Sequence, residues 1–128
     1  MHKLHGANFG EAFAAFYSNK GTIFNYAVHD AIDRSQEKKQ GWLYIYAVEK
    51  SVSIETPYTL RCMQIHIDDA YSEPHVSTEK VDLGTQCGDI LKVSEGLIVL
   101  SCLGTNTVSV YNRKTHKLLY EEASLFED

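Results

Sequence analysis

Residues 88–122, GDILKVSEGLIVLSCLGTNTVSVYNRKTHKLLYEE, decide the fold. Four short segments rich in apolar residues are separated by turn-forming residues: 89–93, 97–103, 107–111 and 117–121. The second segment is mostly apolar, which is typical of a strand covered on both faces. The third alternates strictly, with Val108 and Val110 opposite Tyr111, and the fourth is the most polar. The stretch predicts an antiparallel meander that runs from a buried strand to a solvated edge.

The upstream part of the chain predicts further strands joined by polar connections. The strand segments are residues 22–29, 41–49, 51–55, 60–67 and 81–83, with polar stretches at 30–40 and 68–80. In residues 60–67, the set containing Met63 and Ile65 is the better core face. Pro57 lacks a ladder donor, so we expect it at a strand start or on an edge.

Residues 11–17 (EAFAAFY) allow two interpretations. A polar turn ending in Gly21 follows almost at once, which favours a short strand. Phe13 and Phe16 would instead share one face of a helix. The strand is the preferred prediction, and the helix remains the alternative.

Two of the predicted strands have similar sequences. GTIFNYAV at residues 21–28 aligns without a gap with GWLYIYAV at residues 41–48, matching glycine, tyrosine, alanine and valine. This similarity predicts either equivalent strands or a hairpin with a long loop.

Size, charge and cysteines limit the classes of function. With 128 residues the chain suits one domain, residues 1–128. The net charge of -5 and the lack of a basic run longer than two residues argue against direct nucleic-acid binding. The three cysteines are widely spaced and odd in number, so we expect a reducing compartment, in which each cysteine serves as a small buried hydrophobic residue. We find no leader pattern and no apolar stretch near the roughly 20 residues that span a membrane, so we expect an intracellular protein, cytoplasmic or nuclear.

The order of strands resembles about two blades of a β-propeller of the WD-repeat kind. More specifically, it is similar to the family that includes the damaged-DNA-binding scaffold and the large subunit of the polyadenylation-specificity factor. The elements that carry the resemblance are the strand at 23–28, the polar insertion at 30–40, the strand at 41–48 and the blade-like string GLIVLSCLGTNTVSVYNRKTHKLL. The resemblance implies an all-β fold of antiparallel meanders and a non-enzymatic scaffold role in a complex.

The chain departs from this pattern in two ways. Tyr111-Asn112 stands where a Trp-Asp pair would close a blade, and no Gly-His pair opens one. A closed ring of at least about four blades of about 40–45 residues needs roughly 160 residues, more than this chain has. We therefore expect a propeller fragment completed by other protein chains or by self-association, with a β-sandwich or barrel as the alternative fold.

Two groups of polar residues are candidates for metal binding or for catalysis. His66, Asp68, Asp69 and His75 offer metal ligands, but their spacing matches no zinc pattern. His29, Asp30 and Asp33 could serve acid–base catalysis, but no nucleophile motif or phosphate-binding loop accompanies them. The prediction is a protein without cofactor or metal that is not an enzyme, and a metal-dependent hydrolase remains a remote alternative.

Two stretches are candidate partner contacts. The polar stretch contributes Asp33, Arg34, Lys38 and Lys39, and the following strand contributes the aromatic residues Trp42, Tyr44 and Tyr46 on one face. Tyrosine and tryptophan dominate binding hot spots because they bury a large area at low entropic cost. The leading hypothesis is protein–protein binding through these residues. The alternative is a self-contained sandwich or barrel whose aromatics line a small-ligand pocket.

Overall fold

A computed structural model describes residues 22–35, 37–52, 57–68 and 75–123. Eight β-strands make up its regular structure: β1 (Thr22–Asp33), β2 (Gln40–Lys50), β3 (Tyr58–Asp68), β4 (His75–Gly84), β5 (Ile90–Val93), β6 (Leu97–Cys102), β7 (Thr107–Asn112) and β8 (Leu118–Ala123). They form two four-stranded antiparallel sheets with the orders β1-β2-β3-β4 and β5-β6-β7-β8. Each strand pairs with its neighbour in sequence, so both sheets are meanders. The all-β, antiparallel prediction is confirmed.

The second sheet follows the prediction strand by strand. Ile98, Leu100 and Cys102 of β6 are buried on the side facing the first sheet, and all six residues of β8 are exposed. In β7 the buried residues are Ser109 and Tyr111, while Val108 and Val110, which alternate with them, are half-buried on the outer side. The predicted gradient from a buried strand to a solvated edge is therefore correct.

The two similar segments of the sequence lie in β1 and β2, which pair as one long hairpin. β1 and β2 pair from Thr22↔Lys50 to Asp33↔Gln40, so residues 30–33 and 40 of the polar stretch extend the two strands, and the described residues between them form the loop. An exposed loop and a strand extension were the two expectations for this stretch, and it contains both. The matching Tyr-Ala dipeptides face each other in reverse, with Tyr26↔Ala47 and Ala27↔Tyr46. The hairpin interpretation is confirmed.

β4 is the largest departure from the sequence-based strands. The prediction assigned residues 68–80 to an acidic loop, but the strand begins at His75 and pairs with β3 as far as Gly84. Residues 76–80 are all exposed, so apolar and polar side chains do not have to alternate along this stretch. Its extended conformation is determined by pairing with β3. Pro57 directly precedes β3, as expected, whereas Ser51 and Val52 are not in a strand. The rest of the predicted strand 51–55, and the segment 11–17, lie outside the described residues.

Both faces of the first sheet are buried at its centre. One face packs on the second sheet through a cluster that includes Tyr46, Leu60, Ile98 and Leu100. The other face carries a separate cluster that includes Ile45 and Met63. Met63 and Ile65 are buried as predicted, but Leu60 and Cys62 on the opposite side of β3 are equally buried.

Hydrogen bonds attach the segment between β4 and β5 to both sheets. The Gln86 side-chain amide donates to the Leu100 and Thr107 carbonyl oxygens, each at 3.3 Å, and its oxygen accepts from the Gly88 N–H at 3.0 Å. From the first sheet, Asn25 Nδ2 donates to the Gly88 carbonyl oxygen at 3.0 Å. The two sheets are therefore held by polar contacts as well as by the core between them.

Candidate functional site

The hairpin tip carries the predicted polar contacts. Asp33 ends β1, and Arg34, Lys38 and Lys39 lie in the turn before β2. The Asp33 carboxylate accepts from the backbone N–H of Ser35 at 2.9 Å and from its hydroxyl at 2.6 Å, which lowers the pKa of Asp33. The four residues are exposed.

An open cleft of about 320 Å³ lies at this tip, lined by Asp33, Glu37, Lys38 and Gln40. Its lining mixes two carboxylates with one ammonium and one amide, so it suits polar rather than apolar contacts. The structure thus brings Asp33 and Lys38 together at one cleft.

Arg34 is engaged locally. Its guanidinium forms a bidentate pair with the Asp30 carboxylate at 3.0 and 2.7 Å. The hydrogen bond from Arg34 is the main reason that the pKa of Asp30 is lowered. Both side chains are about half exposed, and such pairs add little to stability. Asp30 and His29 point to opposite faces of β1, as neighbours in a strand do, so they do not form the acid–base pair considered from the sequence.

The three aromatic residues of β2 do share a face, but burial divides them. That face turns towards the second sheet, so Tyr46 is fully buried, Tyr44 is half-buried and Trp42 is 40% exposed. Tyr46 therefore serves the contact between the sheets, and Trp42 is the member open to a partner.

Trp42 is held in a small aromatic stack next to the tip. Its ring lies 4.7 Å from that of His66 and 6.2 Å from that of Tyr44, measured between centroids. Across the sheet interface, the Arg113 guanidinium lies 4.2 Å from the Tyr44 ring centroid, a cation–π distance. We name Asp33, Lys38, Gln40, Trp42 and His66 the tip surface.

A polar cluster between the sheets was not predicted from the sequence. His116, in the turn before β8, lies with Nδ1 2.7 Å from Glu79 Oε2 of β4 and Nε2 3.4 Å from the Tyr46 hydroxyl. With the proton on Nδ1, the ring donates to Glu79 and accepts from Tyr46. No short motif marks this cluster, because its members come from three distant strands and turns.

Burial affects two titratable groups at this cluster. Burial raises the pKa of Tyr46, and burial raises the pKa of the nearby Cys62 thiol to about 11. Both groups therefore hold their protons at neutral pH, and a protonated thiol is a poor nucleophile.

The cysteines differ from the expectation in two of three cases. Cys62 is a buried free thiol, as predicted, but Cys87 and Cys102 form a disulfide across 15 residues of chain. The odd number and wide spacing gave no sign of this pairing. Asp89 has a carboxylate oxygen within 4.8 Å of both sulfur atoms, and Asp89 Oδ2 accepts from the Leu103 N–H at 2.9 Å. Because the two sulfur atoms are joined in a disulfide, they cannot act as thiolate ligands to a metal ion.

The metal group considered from the sequence is only partly assembled. The register places His66 opposite His75, but the His66 ring lies tilted against the Trp42 ring, with their centroids 4.7 Å apart. Asp68 accepts from the Gln40 side-chain amide at 3.4 Å, and Asp69 lies outside the described residues. Within the described ranges, the one set of three potential ligand side chains that meets is Cys87, Asp89 and Cys102.

The edge of the second sheet exposes apolar side chains that the sequence analysis left out of the candidate site. On β8, Leu118, Leu119 and Tyr120 are 50%, 56% and 51% exposed. Among the described strands, β8 pairs with β7 and has no partner on its other side. On the outer face of the sheet, Tyr120 continues a row formed by half-buried Val99 and Val110. We name β8 together with this row the open edge.

Comparisons with family models, curated proteins and solved structures found no match for this chain. Over the part of the chain that the structure describes, we find no helix long and apolar enough to span a membrane.

Proposed function

We propose that this protein is a non-enzymatic interaction module that binds other protein chains, or further copies of itself, through its open edge. The observation that carries the proposal is β8, a strand in which every residue is exposed and three consecutive side chains are large and apolar. An edge strand with free backbone groups offers main-chain hydrogen bonds to an added strand, and exposed apolar side chains give that contact area.

The architecture supports a propeller-like role for this edge. Two successive four-stranded meanders, with β1 lying beside β5, have the strand order that two neighbouring blades would have. The outer row of the second sheet then faces the position of a third blade. The partner would supply a sheet whose apolar face covers Val99 and Val110.

The tip surface is a second contact in this proposal. Trp42 offers a large ring already held by His66, and the adjacent cleft carries both signs of charge. Because the ring is held before binding, a partner would meet a low entropic cost in covering it.

The alternative of a ligand-binding sandwich receives less support. The aromatics of β2 fill the space between the sheets or stack at its rim, and the described cleft at the tip is polar and open. Small-ligand sites are mostly concave and apolar.

The test compares the purified full chain with two variants by size exclusion and light scattering. Leu119→Lys/Tyr120→Lys charges the open edge, and Val76→Lys/Thr78→Lys is the matched control because it charges β4, the exposed last strand of the other sheet. We expect the wild-type chain and the control to exceed the monomer mass of 14.5 kDa, or to retain the same co-purifying protein, and the edge variant to do neither. A wild-type monomer up to about 200 μM, far above the micromolar dissociation constants of weak complexes, with no binding difference between the variants would refute the proposal.

A further inference from the structure

The disulfide lies beside a carboxylate at one end of the β5–β6 hairpin. Cys87 precedes β5, Asp89 is the residue directly before that strand, and Cys102 ends β6. Both sulfur atoms and one Asp89 carboxylate oxygen lie within 4.8 Å of one another. In the part of the chain that the structure describes, three side chains with metal-binding atoms meet only here. Reduction of the disulfide would turn this group into two thiols and a carboxylate.

Hydrogen bonds hold the chain on both sides of Cys87 without the help of the disulfide. The buried Gln86 side chain donates to a carbonyl oxygen of β6 at 3.3 Å and accepts from the Gly88 N–H at 3.0 Å. From the first sheet, Asn25 Nδ2 donates to the carbonyl oxygens of Gly88 and Asp89 at 3.0 and 3.2 Å. Reduction breaks none of these bonds, so Cys87 should keep its position in the reduced chain.

The other two side chains are positioned by the fold as well. Cys102 pairs with Thr107 in the ladder between β6 and β7. Asp89 Oδ2 accepts from the Leu103 N–H at 2.9 Å, so the residue after Cys102 orients the carboxylate. Hydrogen bonds to a ligating carboxylate have this orienting role at metal sites. The three side chains are therefore brought together before any metal ion binds.

The combination of sulfur and oxygen atoms suits zinc. Thiolates select zinc and copper(I), whereas magnesium and calcium prefer oxygen ligands, and zinc also binds carboxylate oxygen. In tetrahedral geometry, zinc–sulfur bonds of about 2.3 Å separate two thiolates by roughly 3.8 Å. The Cα atoms of Cys87 and Cys102 are 5.1 Å apart, so rotation about the Cα–Cβ bonds of the reduced side chains can reach that separation.

Burial distinguishes the sulfur side of this group from its carboxylate side. Cys87 and Cys102 are 7% and 4% exposed, whereas Asp89 is half-buried and Leu103 next to it is 55% exposed. A metal ion held by the three side chains would therefore have its remaining position towards solvent. Three protein ligands and one water are the arrangement of an open zinc site.

We propose that reduction of the disulfide creates a zinc site formed by Cys87, Asp89 and Cys102, with water as the fourth ligand. The reductant is a low-molecular-weight thiol. One thiolate attacks a protein sulfur, which breaks the disulfide and forms a mixed disulfide, and a second thiolate then releases that sulfur. Two electrons and two protons pass from the two small thiols, which leave as their own disulfide, to the two cysteines. Zinc displaces both cysteine protons when it binds.

The consequence is a link that survives a change of redox conditions. The disulfide joins positions 87 and 102 under oxidising conditions, and the zinc ion would join the same two sulfur atoms under reducing conditions. The site is separate from the open edge and from the tip surface, so its test is independent of the proposed function.

The first experiment titrates zinc into the full chain carrying Cys62→Ala, in which the only thiols are those of the pair. The chain is reduced with a phosphine, freed of it under argon and titrated in competition with a colorimetric chelator. We expect one zinc ion per reduced chain and none per oxidised chain. Cobalt in place of zinc should give thiolate-to-metal charge-transfer absorption. No binding after reduction, equal binding by the oxidised chain, or half a zinc ion per chain, which means a site shared by two chains, would overturn the proposal.

Two variants of that chain test the carboxylate, since Asp89→Asn and Glu95→Gln each remove one negative charge from the same hairpin. An asparagine oxygen can still accept from the Leu103 N–H but is a poorer zinc ligand. Loss of a partner outside the ligand set already costs about 10–100-fold in metal affinity, so Asp89→Asn should cost at least about 100-fold. Glu95 lies in the turn at the other end of the hairpin, and its variant should bind zinc as before. Equal affinities of the two variants would contradict the proposal.

A second experiment needs no variant to fold. X-ray absorption at the zinc edge is measured on the unsubstituted, reduced chain loaded with one equivalent of zinc. We expect two sulfur neighbours at about 2.3 Å and two oxygen neighbours at about 2.0–2.2 Å. A shell without sulfur, or one with three or more sulfur atoms, would refute the site.

Discussion

Replacing Gly88 with alanine tests how tightly the connection between the sheets is built into the core. Gly88 has φ +62°, and a Cβ added there would lie 2.8 Å from Val48 Cγ2 and 2.9 Å from Leu100 Cδ2. Both neighbours are fully buried, one from each sheet. The new methyl group therefore has to displace core side chains that have little room to move.

The expected loss follows from two costs and one offset. A left-handed backbone costs a residue with a Cβ roughly 1–2 kcal/mol, and overpacking a core costs about 1–3 kcal/mol. The smaller entropy of the unfolded alanine chain offsets about 0.4–1 kcal/mol. We expect Gly88→Ala to lower the free energy of unfolding by about 2–4 kcal/mol.

Urea denaturation followed by circular dichroism measures this loss, with Gly104→Ala as the matched control. No atom lies within 4 Å of a Cβ added at Gly104, so that variant should stay within about 0.5 kcal/mol of the wild type. In a Val48→Ala background, part of the collision disappears, and the cost of Gly88→Ala should fall by about 1 kcal/mol or more. Equal costs at the two glycines, or strict additivity with Val48→Ala, would refute the packing argument.

Two further predictions concern the cysteines. Closing the 15-residue separation between Cys87 and Cys102 restricts the unfolded chain, so Cys87→Ser/Cys102→Ser should lower the free energy of unfolding by about 3 kcal/mol. Urea curves with and without a phosphine reductant check this, and a wild-type midpoint insensitive to the reductant would contradict it. Burial raises the pKa of Cys62 to about 11, so the native state keeps a proton that the unfolded state releases from about pH 9. The free energy of unfolding should therefore fall between pH 9 and pH 11, by up to roughly 3 kcal/mol from this group. Cys62→Ala should remove that part of the fall, and parallel pH curves for the two chains would disprove it.

Alternation and turn chemistry were sufficient to predict the second sheet. Its turns are short, and its strands are bounded by glycine or asparagine, as at Gly96, Gly104 and Asn112. Local signals therefore determine where each strand starts and ends. Only the end of β4, residues 81–83, was predicted in this way. The part from His75 to residue 80 was missed, because an exposed edge strand carries polar residues on both sides, and only its pairing with β3 distinguishes it from a loop.

The site was predicted only in part for a similar reason. Sequence spacing places Trp42, Tyr44 and Tyr46 on one face, but it does not tell which end of that face the second sheet will cover. The contact of His116 with Glu79 and the disulfide between Cys87 and Cys102 join residues that are far apart in sequence. Such pairs depend on how the sheets meet, and a single sequence contains no local signal for that.

The hairpin of β1 and β2 has a consequence for the behaviour of the protein at high concentration. Tyrosine lies opposite alanine twice in succession because each strand carries the same Tyr-Ala dipeptide and the strands run in opposite directions. In an antiparallel pair of two β1 strands, or of two β2 strands, taken from different molecules, the same two tyrosine–alanine pairs can form. What favours the closed hairpin is the covalent turn, which gives the two strands of one chain an effective concentration near the millimolar range. Shortening that turn until the two strands of one chain can no longer pair would remove this preference and favour exchange of strands between molecules.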